Sequence, residues 1–214
     1  MNMNLSDALR AVAAALQTPV IIILLLLVAV TIIMLGTLIA ELFTERIHMR
    51  VKLPELLNAM QKRERPLEEI ISESGLLRRQ KKALLTICEQ KNLTPLKREA
   101  LASELLEREK AHYDFRVKIT DLIMKLGPMF GLLGTLIPLG PGIIALGRGD
   151  TYTLSTSLLT AFDTTIAGLI AAAVCTVISV IRKRWYSRYM GSLEAVTECL
   201  LEAMETDSAE RKTS

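Results

Sequence analysis

Asp163 stands in an otherwise uncharged, apolar stretch, with Thr160 one turn before it and Thr164 beside it. A carboxylate can take up or release a proton and a hydroxyl both donates and accepts, so the three are candidates for handling an ion. An acid on a helix inside a bilayer costs about 3 kcal/mol at the centre and less near the interface. Helix capping, bonding to another helix and direct ion handling would each offset that cost. Two lines of small and hydroxyl residues accompany it. Gly127, Gly131, Gly134, Thr135, Pro138, Gly142 and Ala145 recur at steps of three and four, as do Ala161, Thr165, Gly168, Ala172, Thr176 and Ser179. Each set falls on one face of a helix. Close packing between helices explains such lines, and hydroxyls can bond to the carbonyl one turn back; a wall that hydrates an ion explains them as well. At about 100° per residue, Asp163 points roughly 160° away from Thr165, so it does not share that line. Pro138 and Pro141 withdraw backbone donors and predict a kink or a local cavity.

Other chemistries find little support. Cys88, Cys175 and Cys199 are far apart, with no CxxC pair, and His48 and His112 are isolated, so no metal is expected. No nucleophile, acid and base are arranged together, which predicts neither an enzyme nor a cofactor. A net charge of +3, with bases and acids interleaved, gives no nucleic-acid signature. Three spans also lack the inverted repeat of a secondary transporter.

The elements that carry these residues follow from segregation of charge. Half of the chain is hydrophobic while 23% is charged, a combination that requires long uncharged runs. The sequence predicts an all-α integral membrane protein with spans over 19–40, 126–146 and 154–181, each reaching the ~20 residues that cross ~30 Å of hydrocarbon. Ser6 to Gln17 reads as an amphipathic segment (1–18) on the outer surface, with Ser6 as N-cap, or as a plain extension of the first span. A cleaved signal sequence is disfavoured by the length of the apolar core. Most of the 26 basic residues fall in 41–125, and Arg182, Lys183, Arg184 and Arg188 follow the third span, whereas the 147–153 loop holds only Arg148. Positive residues stay in the cytoplasm, which places the N-terminus outside and the C-terminus, 182–214, inside. Within 41–125, Pro66 opens a helix that stops at Ser74-Gly75, another fits Leu76 to Lys91, and Thr94-Pro95 starts one that runs unbroken into span two.

Two segments carry a resemblance: GPMFGLLGTLIPLG from Gly127 to Gly140 and LLTAFDTTIAGLIAAA from Leu158 to Ala173. Together they resemble the MotA/TolQ/ExbB proton channel family, and three spans with a short tail look like its ExbB/TolQ branch. The resemblance implies a pentameric ring in the cell (inner) membrane around a single-span partner like ExbD, TolR or MotB. That partner supplies the membrane aspartate, and proton or sodium flow is turned into mechanical work. It also implies that Thr135 and Thr165 line the pore; both fall on the small-residue lines, so Gly131, Gly168, Ala172 and Thr176 are expected to line it with them. Thr160 stands where ExbB has a glutamate, and Asp163 is a candidate replacement for that acid. The competing expectation is a non-conducting scaffold that recruits cytoplasmic partners, with the small residues serving only as packing faces.

Overall fold

The computed structural model describes residues 5–48, 53–62, 65–76, 78–90 and 93–213. Among them the chain is all-helical: α1 (Leu5–His48), α2 (Leu53–Lys62), α3 (Leu67–Glu73), α4 (Arg78–Glu89), α5 (Pro95–Gly147) and α6 (Thr151–Thr213). Three stretches are long and apolar enough to cross a membrane: Ala11–Phe43 of α1, Pro95–Gly147 and Thr151–Thr206. The side chains of Ser6, Arg46 and His48, and residues Arg50, Lys52, Leu77 and Lys91, lie outside the described residues.

The helix boundaries have local causes. Proline fits the first turn of a helix because its missing N–H has no intrahelical partner there, and both Pro54 and Pro95 occupy such positions. Glu55 in α2 and Glu68 and Glu69 in α3 complement the positive N-terminal end of the dipole. The amide of Ser74 closes α3 onto the carbonyls of Ile70 and Ile71. No break separates the N-terminal segment from the apolar run behind it, so residues from Leu5 onward extend the same helix through Pro19.

Contacts divide the chain into two compact units. The first comprises Met1–Leu38 and Val117–Ile181. Here, among its described side chains, α1 buries a narrow seam, Val20, Leu24, Thr31 and Leu38, at intervals of four and seven. Leu27, Val28 and Val30 of α1 and Ile119 of α5 pack on Ile123, Ala171 and Cys175. Most other aliphatics are exposed, Leu25, Ile32, Leu136 and Ile170 among them. That distribution suits a lipid environment, where apolar surface needs no cover.

The second unit comprises Ile39–Arg116 and Arg182–Ser214. Tyr186, Tyr189, Met190, Leu193, Val196, Leu200, Ala203 and Met204 form a seam along α6. Alternating steps of three and four are the signature of helices packed side by side. Met60, Ile71, Leu84 and Ile87, from α2, α3 and α4, are likewise sealed from solvent. Tyr113 stacks with Tyr186 at 4.5 Å between ring centroids, and Tyr189 flanks both.

Candidate functional site

The turn between α5 and α6 is three residues long. Gly149 adopts φ +75°, a backbone conformation that disfavours side chains, and its amide bonds to the Leu146 carbonyl while that of Asp150 reaches back to Ala145. This pair of bonds is a Schellman ending for α5. Asp150 then caps α6, accepting the Thr153 amide at 3.0 Å and the Thr153 hydroxyl at 2.5 Å.

Below that turn the backbones of α5 and α6 touch. A Cβ on Gly127 would lie 2.6 Å from the Gly168 carbonyl oxygen, and one on Gly168 would meet Gly127 in return. A Cβ on Gly134 would lie 2.6 Å from Thr164 Cβ, and one on Gly142 3.1 Å from Ser157 Cβ. Gly131, Gly168 and Ala172 therefore sit in the contact between the two helices of one chain. Thr164 is the hydroxyl residue buried in that contact, and its Oγ1 donates to the carbonyls of Thr160 and Ala161.

Thr165 lies at the flank, half-buried, and donates its hydroxyl to the Gly131 carbonyl at 3.4 Å. Gly131 is one turn before Thr135, so α-helical geometry pairs the same carbonyl with the Thr135 amide. Thr135 is also half-buried, and its hydroxyl donates to Leu132. The Thr165 hydroxyl thus reaches the carbonyl one turn before Thr135, while the Thr135 hydroxyl turns to its own helix. Thr176 is exposed and bonds back to Ala172, while Thr160 bonds back to Thr156. Asp163 is exposed, and its side chain makes no hydrogen bond or ion pair among the described residues. Helix α5 continues through Pro128, Pro138 and Pro141. The helix is thus continuous at Pro138 and Pro141, each of which withdraws one backbone N–H from it.

Thr31, Asp121 and Glu41 went unread in the sequence. Thr31 on α1 bonds to Leu27 and lies 3.5 Å from the buried Cys175 sulfur. Ser179 donates to Asp121 at 2.5 Å. In the second unit, Glu41 accepts Arg116, Arg182 (Nε at 3.3 Å) and the Tyr186 hydroxyl, joining α1, α5 and α6. Arg182 is fully buried. Its position directly after an apolar run reads in sequence as a topology signal, and only the fold shows the acid opposite it.

The profile of the MotA/TolQ/ExbB proton channel family matches residues 62–195. That is more than half of the chain and includes both threonines; the chain belongs to this family of membrane channel proteins, which is not an enzyme family. It is a multi-pass membrane protein. No curated protein sequence gives a significant match.

Proposed function

We propose that this chain is the ion-path subunit of an ion-driven motor, of the three-span ExbB/TolQ-like kind. The observation that carries the reading is the Thr165 hydroxyl reaching the Gly131 carbonyl, one turn before Thr135, inside the segment that matches the family. A hydroxyl can hold water or a hydrated ion beside a carboxylate without the cost of a second buried charge. In this reading the chain forms a pentamer in the cell membrane, N-terminus outside, around a single-span partner whose aspartate exchanges a proton or sodium ion. One charge crossing about 100 mV releases about 2.3 kcal/mol, so a few charges suffice for a mechanical step. Asp163, on an exposed face with Thr160 nearby, is a second ion-handling candidate on this chain, because a carboxylate within an apolar span needs a polar neighbour.

The scaffold alternative also has an observation in its favour. Gly127, Gly131, Gly168 and Ala172 are accounted for by packing within one chain. Ion flux into vesicles holding the complex with its single-span partner separates the two readings. Thr135→Val and Thr165→Val abolish flux if the hydroxyls serve the ion path, and unchanged flux in both variants rejects the motor reading.

A further inference from the structure

Arg79 of α4 reaches across to α5, where its Nη1 lies 3.0 Å from His112 Nε2. A guanidinium has donors only, so Nε2 must be the acceptor and the imidazole must be neutral, with its proton on Nδ1. The same guanidinium donates Nε and Nη2 to Glu109 Oε1 at 3.4 and 3.3 Å. Both acceptors lie on α5 one turn apart. They hold the first turn of a helix that has no acidic residue there and bears Arg78, Arg79, Lys81 and Lys82 at its start, where the helix dipole disfavours positive charge.

We propose that the Arg79–His112 bond is an acid-sensitive latch, which protonation of His112 opens to release the start of α4 from α5. An imidazolium has no lone pair for Arg79, and it would place two cations at hydrogen-bond distance. It would also compete with Arg79 for Glu109, three residues earlier on the same helix. The other groups around the ring act in known directions. Burial comes first, then the positive charges of Arg79 and Arg116, in pushing the His112 pKa below its ordinary value; Glu109 and, from α1, Glu41 oppose them. From α6, the Tyr186 hydroxyl stays protonated, because burial and Glu41 raise its pKa. The latch is therefore closed at neutral pH and opens only as pH falls through the depressed His112 pKa, beyond the range where a free imidazole would already be charged. Gln80, next to Arg79, donates to the Tyr189 carbonyl and is buried with Leu84 and Ile87, and Lys81 donates to the Ser72 carbonyl, so α4 stays docked from Gln80 onward and the latch frees only Arg78 and Arg79.

Hydrogen exchange on the full-length protein in lipid nanodiscs tests the latch over a pH series from 7.5 down to 4.5, with rates normalised to the intrinsic pH dependence. The amides of Lys82 and Ala83 report it, because their helical acceptors are the carbonyls of Arg78 and Arg79. Wild type should exchange there about tenfold faster at the acid end of the series, the scale of losing a bond to a charged group. His112→Gln keeps an acceptor that does not titrate and should lose the step, as should Arg79→Gln at a side chain already half exposed. His112→Lys should show the fast rate at every pH. No step in wild type, or an undiminished step in both His112→Gln and Arg79→Gln, overturns the proposal.

Discussion

Thr165 donates its hydroxyl to the carbonyl of Gly131 across the α5–α6 contact. At 3.4 Å the bond is long, and interhelical hydrogen bonds in membrane proteins average only about 0.6 kcal/mol. Thr165→Val should therefore cost under about 1 kcal/mol in thermal unfolding, while under the motor reading it stops ion flux. A large loss of stability would mark the residue as a packing element instead.

Glycines in α5 and α6 separate into two classes. A methyl group on Gly168 meets the backbone of Gly127, which cannot turn aside, so Gly168→Ala should destabilise the detergent-solubilised protein by about 1–3 kcal/mol. Nothing lies within 4 Å of a Cβ on Gly191. Gly191→Ala should be neutral or stabilising by up to about 1 kcal/mol, since it restricts the unfolded chain. Equal melting temperatures for the two variants would contradict this ordering.

Removing the charge from Glu41 takes the carboxylate from Arg182, whose side chain is 1% exposed. Glu41→Gln should cost about 3 kcal/mol, measured by denaturation, because breaking a buried pair leaves a poorly compensated charge. Glu41→Gln combined with Arg182→Met should recover much of the loss. If the double variant is no more stable than the single one, the pair is not the source of the effect.

Acid should loosen the α5–α6 turn. The Thr153 hydroxyl, followed by the Thr153 amide, holds the Asp150 carboxylate below its ordinary pKa. The charged form is thus favoured in the folded state, so its contribution is present above about pH 3.9 and is lost as pH falls through the folded value. Protease cleavage at the turn should rise over that window in wild type. Asp150→Ala should be cut readily at all pH values.

Much of this architecture is legible in the residue order. Charge segregation locates the three apolar helices, Pro66 and Pro95 mark helix starts, and the steps of three and four identify the faces that α5 and α6 turn towards each other. The hydroxyl buried in that contact was less legible. Periodicity alone put Thr165 on the α6 line, but two small residues can seat a face equally well when one precedes the other by a single position, and Gly134 leaves room for the side chain of Thr164. Glu41 was hidden for another reason: its partners lie 75 and 141 positions away, and no local pattern couples them.

The turn at Arg148, Gly149 and Asp150 has a consequence for biogenesis. Three residues span at most about 10 Å, too little slack for one apolar helix to enter a bilayer while the other waits outside. Residues from both sides of the turn must leave the insertion machinery as one hairpin. The unit of membrane integration here is the pair, and a synthesis error that polarises one helix would strand both.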